Sequence, residues 1–289
     1  MELRQLKYFI ASAETLNFTV AAQQCFITQS TLSQQIKQLE NDLGTPLFER
    51  VGKRVYLTEA GKAFLPFARQ TVADAAYGVQ RIKDIEGITT GCLHIGTTYG
   101  LSALITDAID RFSAQYPEIH LEVTFLKQND LIEAVRERKV DFALTFEMME
   151  KDELLTEDLI ATYHLRAIVS TDNPLSQQAT VSLRQLSDYN ICTPAHGMNA
   201  RRMFDELCAK KGVELKPRLE INEIHTLLHL VRTSRWVAIL VDSIIHGEEN
   251  LCAVTIREAP LPMPVVWLYP KGMYLSNAIK AFMELLNDK

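Results

Sequence analysis

This chain has no C-x-x-C pair, no eighteen-residue apolar run and no surplus of positive charge, and each absence removes a class of protein. Its five cysteines, at 25, 92, 192, 208 and 252, follow no zinc-ligand or dithiol spacing. An odd number of them without an export signature points to reduced thiols in the cytoplasm. Without a long apolar run, nothing is expected to span a membrane. The first eighteen residues include Glu2 and Glu14 and lack a sustained apolar core, so a signal peptide is not expected either. The net charge of −6 argues against a protein that coats polyanions with its whole surface. Nucleophile-elbow, Walker and dinucleotide signatures are missing. Among seven histidines, His225 and His229 share one helix face but lack the HExxH carboxylate. No catalytic residue, metal site or cofactor is therefore expected, which disfavours an enzyme, and the missing export signal disfavours a transport receptor.

What is present is 289 residues, 47% hydrophobic and 23% charged, enough for about two folded domains. The first sixty are neutral, with six Lys/Arg against six Asp/Glu, so any contact with a polyanion there depends on local placement. Within them, Phe18 to Arg50 reads as two short helices around a tight turn. Ala21, Ala22, Cys25 and Phe26 give the first an apolar face, and Leu32, Ile36, Leu39 and Leu43 do the same for the second. Thr28 or Ser30 is placed to cap the second helix. Its remaining face carries Gln29, Ser30, Thr31, Ser33, Gln34 and Lys37, groups that bond phosphates and base edges.

The segment AAQQCFITQSTLSQQIKQLENDLGTPLFER resembles, nearly end to end, the helix-turn-helix signature of the LysR-type transcriptional regulators. The resemblance extends through Val51 to about Gly87 and, more weakly, over the remaining two-thirds of the chain. It implies an α+β multidomain protein: an N-terminal winged helix-turn-helix with a long linker helix, then a two-lobed α/β periplasmic-binding-protein-like effector domain. Residues 1–58 would bind DNA, 59–87 would form the linker and dimerisation helix, and 92–289 the effector domain. Lobe I would comprise 92–162 with 266–289, and lobe II 166–262. The implied partners are double-stranded promoter DNA, a small-molecule effector, further copies in a homodimer or homotetramer, and RNA polymerase. Ser30 and Gln34 stand where the family usually has Pro and Arg, so base preferences do not transfer.

The flanking pattern agrees. Leu3, Leu6, Phe9, Ile10 and Ala13 form a helix face that backs the pair. Val51, Gly52, Val55 and Leu57 suggest a hairpin with Arg50, Lys53 and Arg54 at its tip, suited to phosphate or minor-groove contact. Thr58 looks like an N-cap. Behind it Ala60, Phe64, Phe67, Thr71, Ala75, Val79, Ile82 and Ile85 advance by three or four, a seam about 40 Å long that wants a partner. Pro66 should bend that helix. GITTG at 87–91 reads as a hinge. From Cys92 onward strands and helices alternate, implying a parallel sheet with right-handed crossovers.

Ligands of such sheets sit beyond the carboxyl ends of strands, at helix N-termini. That selects Thr97 and Thr98 after the first strand, Gln128 with Lys127 and Asn129 after the second, Thr145 at the end of the third, and Thr193 and His196 across the cleft. They form a cradle for a small anionic effector. Thr98 and Thr193 match positions from which the family usually contacts effectors and rank first. An alternative keeps the DNA-binding role with a cysteine redox signal. In the peroxide-sensing branch a cysteine lies nine residues before a second. Cys208 occupies the second position, but the first is Asn199, and Cys192 is the nearest substitute.

Overall fold

The computed structural model describes residues 1–52, 54–85, 91–233, 235–258 and 262–287. The chain divides into two units, Met1–Ile88 with Arg136–Lys139, and Thr89–Val135 with Val140–Lys289. The sequence-predicted hinge lies outside the described residues except for Gly91.

The first unit comprises α1 (Leu3–Thr15), α2 (Phe18–Gln24), α3 (Gln29–Leu43), β1 (Phe48–Val51), β2 (Arg54–Leu57) and α4 (Glu59–Ile85). Each helix starts on a cap that satisfies its free amides. Glu2 and Gln5 form a capping box on α1, Asn17 Oδ1 accepts from the amides of Thr19 and Val20, and Thr28 Oγ1 accepts from that of Thr31. Between the two candidates for the α3 cap, the structure thus selects Thr28. Gly44 ends α3 at φ 72°, a left-handed conformation that costs glycine least. Leu6, Phe9, Ala21, Ala22, Leu32, Ile36, Leu39 and Leu47 make the core, each large side chain worth about 1.5–3 kcal/mol when fully buried.

Three residues expected in that core are outside it. Phe26 is 95% exposed, because α2 ends at Gln24 and Phe26 takes a left-handed φ of 56° to turn the chain toward α3. Leu3 and Leu43 sit in the first and last turns of their helices and face solvent. The wing hairpin pairs Phe48 with Leu57 and Val51 with Arg54. Helix α4 is unbroken through Pro66. Its expected seam divides: Ala60 and Phe64 pack on the core, whereas Phe67, Val79, Ile82 and Ile85 are exposed. Arg69, buried on α4, is satisfied by Glu14 at 2.9 Å and Glu137 at 2.6 Å. A Cβ at Gly61 would overlap the carbonyl oxygen of Leu47, so only glycine lets α4 start this close to the chain before the wing.

The second unit contains β3 (Gly91–Thr97), α5 (Ser102–Gln115), β4 (Ile119–Phe125), α6 (Gln128–Arg136), β5 (Phe142–Phe146), β6 (Leu155–Ser170), β7 (Thr180–Val181), α7 (Leu183–Leu186), β8 (Asn190–Pro194), α8 (Asn199–Lys211), β9 (Leu219–Ile221), α9 (Ile224–Val231), β10 (Trp236–Val241), β11 (Leu251–Ile256), β12 (Pro262–Pro270) and α10 (Asn277–Asn287). The strands run β4-β3-β5-β12-β6-β10-β8-β9, with β11 beside β6 and β7. β4, β3 and β5 are parallel, and β12 is antiparallel to β5 and β6. The sixteen-residue β6 carries the chain between lobes. Its first half pairs with β12 and its second with β10 and β11. At the passage Asp242 accepts from the His164 amide at 2.9 Å and from Arg166 Nε at 3.3 Å.

The first half of β6, Leu155–Tyr163, is mostly half-buried and bears Glu157 and Asp158, so it lacks the clean apolar face by which sequence alone marks a strand. The aromatic cluster of lobe I, Phe112, Phe142, Trp267 and Phe282, packs with ring centroids 5.2–6.2 Å apart and seats α10 on α5.

Candidate functional site

The outward face of α3 follows from burial of Leu32, Ile36 and Leu39, which leaves Gln29, Ser30, Thr31, Gln34 and Lys37 exposed and Ser33 partly so. Thr28, Ser30 and Thr31 group their hydroxyls within 2.8–3.0 Å contacts at the helix N-terminus. Gln29 Nε2 donates to Ser33 Oγ at 2.8 Å, which orients its amide. On the wing, the strand period places Arg50 on the face of Phe48 and Leu57, where its guanidinium lies 5.9 Å from the Phe18 ring centroid. Arg54 is on the opposite face and exposed. Lys53, the third wing cation, lies outside the described residues.

The neutrality of the first sixty residues conceals a sorting of their charges. Glu40 accepts from the amides of Leu47 and Phe48, Asp42 pairs with the N-terminal ammonium, Glu14 with Arg69, and Glu59 with Lys62. Lys37, Arg50 and Arg54 have no ion pair among the described residues. Glu14, Glu40, Asp42 and Glu59 are engaged, Glu49 on the wing is exposed, and Lys37, Arg50 and Arg54 remain available to phosphate.

The lobes of the second unit meet at the carboxyl ends of β3, β5 and β8. Ser243 Oγ donates to the Gly100 carbonyl at 2.8 Å, and a Cβ at Gly100 would crowd Val241 and Phe146 at 3.2–3.3 Å. A small cavity of about 20 Å³, room for one water, is lined there by Thr98, Phe146, Pro194, Met198, Asn199 and Leu240, among others. Beside it, sharing Phe146 and Asn199, opens a cleft of about 420 Å³, within the range of small-molecule sites. Met148, Met263 and Met203 line it with the charged groups of Lys151, Arg202 and Glu206.

The six residues singled out from sequence fare differently. Thr98 lines the small cavity. Thr97 is buried and donates to the Leu144 carbonyl at 3.2 Å, and Gln128 Nε2 donates to the Phe146 carbonyl at 2.6 Å, so both shape strand ends. Thr145 is fully buried and its hydroxyl has no hydrogen-bond partner among the described residues. Thr193 accepts at 3.0 Å from the buried guanidinium of Arg201, which also pairs with Asp205 and Glu220 at 2.8 Å. Burial opposes, and the two carboxylates outweigh, so the Arg201 pKa is raised. His196 has a 70% exposed ring 3.1 Å from Arg201. The sequence reading missed Asn199, Arg202, Met203 and Glu206, which form one stripe of α8 at i, i+3, i+4 and i+7. That period was available in the sequence.

Comparison with known proteins agrees with this arrangement. Residues 3–62 match the profile "Bacterial regulatory helix-turn-helix protein, lysR family", and residues 87–289 match "LysR substrate binding domain". The transcriptional regulator BudR of Raoultella terrigena is 31% identical over 99% of this chain and 100% of its own length. The regulator ShiR of Corynebacterium glutamicum is 33% identical over 96% and 97%. In fold, the chain is similar to full-length CbnR solved with its target DNA, at TM-score 0.65 and 22% identity, covering 99% of each chain. It is also similar to a full-length OxyR variant from Pseudomonas aeruginosa, at TM-score 0.74 and 20% identity, covering 100% of this chain and 94% of that one.

Proposed function

The chain belongs to the LysR family of DNA-binding transcriptional regulators with an effector-binding domain, and on that premise we propose how it reads DNA and what it senses. Helix α3 enters the major groove of promoter DNA. Gln29 and Gln34 reach base edges, and Thr28, Ser30, Thr31, Ser33, Lys37, Arg50, Lys53 and Arg54 hold the backbone. The observation that carries this reading is the sorting of charge, in which Glu14, Glu40, Asp42 and Glu59 are engaged within the unit while Lys37, Arg50 and Arg54 on α3 and the wing have no ion pair among the described residues. Two copies, joined along the exposed Phe67, Val79, Ile82 and Ile85 of α4, would present recognition helices about 34 Å apart, and four would form the working tetramer.

The effector is a small anion held in the interlobe cleft. Supporting this are Lys151 and Arg202 on its walls, which also carry Glu147 and Glu206; Glu206 pairs with Arg202 at 2.9 Å, so an anion would join that pair. Asn199, shared by the cleft and the small cavity, orients the ligand, and Thr98 lines the cavity behind it. Thr193 acts through Arg201, while Thr97, Gln128 and Thr145 shape the strand ends and His196 closes the rim. Ligand binding shifts the lobes and thereby the bend imposed on DNA, with a coupling of about 1–3 kcal/mol, and RNA polymerase reads the result. Footprinting on the DNA flanking its own gene, across a panel of small carboxylates and phosphates, tests this. A footprint that changes length with one anion supports it, and a footprint indifferent to every anion sinks the ligand half alone.

A cysteine redox signal is disfavoured. Burial pushes the Cys192 thiol up to about 12 and the Cys208 thiol up to about 11.

A further inference from the structure

Two pairs of donor side chains sit apart from both sites. Cys92 and His94 alternate on β3, and His120 and Glu122 on β4. Their parallel register aligns Cys92 with His120 and His94 with Glu122. Residues i and i+2 of a strand share a face, so the four side chains meet over two neighbouring strands at the β4 edge of the sheet. The donor atoms of Cys92, His120 and Glu122 all lie within 4.8 Å of one another. His94 Nε2 is 3.6 Å from Cys92 Sγ and 3.5 Å from Glu122 Oε2, and His120 Nε2 is 3.8 Å from Glu122 Oε1. A tetrahedral zinc site holds neighbouring donors roughly 3.3–3.6 Å apart, given metal bonds of about 2.0–2.3 Å. Closing the cluster asks only for side-chain rotation in residues that face solvent.

A second feature singles out His94. Asp141 Oδ2 accepts from the His94 amide at 2.8 Å and lies 3.3 Å from Nδ1 of the same residue, while the Asp141 amide donates to the His94 carbonyl at 2.7 Å. A carboxylate fixed on Nδ1 leaves the Nε2 lone pair facing Cys92 and Glu122, the way outer carboxylates orient metal-binding imidazoles.

We propose that Cys92, His94, His120 and Glu122 form a binding site for a zinc-class divalent cation, with Asp141 as the positioning residue for His94. One thiolate, two imidazoles and one carboxylate suit Zn²⁺ and reject Ca²⁺ and Mg²⁺, which demand oxygen ligands. Binding releases the Cys92 thiol proton to solvent, and the bound ion cross-links β4 to β3.

The test uses the full-length protein, stripped with chelator and titrated with Zn²⁺ by calorimetry, with Co²⁺ as the optical probe. One equivalent per chain should bind, Co²⁺ should show a thiolate charge-transfer band, and Zn²⁺ should protect Cys92 from alkylation. Cys92→Ser with His120→Ala should abolish all three, and Asp141→Asn should weaken affinity about 10- to 100-fold at unchanged stoichiometry. His225→Ala with His229→Ala, an exposed pair on α9, should change nothing. These cluster side chains are exposed or partly so, and unaltered metal-free melting confirms that each variant is folded. The proposal is overturned if stripped protein takes up no Zn²⁺ at micromolar concentration, if the cobalt complex lacks a thiolate band, or if the double variant binds like the parent.

Discussion

The two candidate sites of this protein are built on opposite plans. The DNA face is one continuous helix and its wing, with polar groups exposed and three described cations unpaired. The interlobe cleft gathers β5, α8 and β12 from distant parts of the chain; its Arg202 is paired with Glu206 at 2.9 Å, and the neighbouring Arg201 is buried and doubly paired. A surface that must accept any stretch of phosphate backbone needs available charge. A cleft that discriminates one small molecule needs fixed walls and few polar groups. The difference teaches that free charge marks the first site, and that buried, engaged charge such as Arg201 in the second is scaffolding.

The comparison can be broken most severely at Gly61. Gly61→Ala drives a Cβ into the Leu47 carbonyl and to 2.9 Å from the Leu57 side chain. Backbone cannot swing aside, so a loss of about 3 kcal/mol is expected, the upper end for overpacking. In a thermal scan the transition of the first unit should fall and DNA binding vanish, while the second unit's transition and any effector binding persist. Simultaneous collapse of both would show that the units do not stand independently.

Next in size is the reading helix. Gln29→Ala with Ser33→Ala removes an oriented amide and should weaken promoter affinity about 10- to 100-fold, a loss on the scale of one good bidentate base contact of about 1–3 kcal/mol. Lys37→Ala should weaken all sequences alike and reduce the salt slope by about one. Fluorescence anisotropy over a salt series separates the two, and an unchanged affinity in the double variant would leave α3 without a role in DNA reading. Smaller still, Arg202→Ala should lower effector affinity several-fold, since Arg202 is half-buried and already paired with Glu206, and a partly exposed pair of this kind is worth about 1 kcal/mol. Promoter affinity without effector should not move.

How much of this was legible in the sequence follows from the same contrast. Helix α3 could be read because its burial period and its polar face lie in one fifteen-residue stretch. Phe26 was misplaced because tertiary context ends α2 two residues earlier and turns the chain through a left-handed residue. The cleft was legible only as strand ends. Thr97 and Gln128 looked free and are bound to carbonyls that their own sequence neighbourhoods do not contain. Cys92, His94, His120 and Glu122 carry no ligand spacing along the chain, because strand register, which no local pattern encodes, brings them together.

The smallest expected effect concerns the cysteines. Replacing Cys192 or Cys208 with alanine should leave the response to oxidant unchanged, if oxidant acts at all. Oxidation proceeds through the thiolate. With its thiol at about 12, Cys192 is ionised in only about one molecule in 10⁴ to 10⁵ near pH 7.5. It is also fully buried, and its Sγ lies 3.7 Å from the Val237 carbonyl. Cys208 is held near 11 chiefly by burial, with Asp205 adding repulsion. Residue 199, where a nine-residue partner would stand, is asparagine at the head of α8. Alkylation followed by peptide mapping should label Cys92, the exposed thiol, long before Cys192. Should peroxide alter promoter binding in the parent and fail to do so in Cys192→Ala, the engaged interior of the second unit would be a sensor after all, and the division between free and scaffolding groups would not hold.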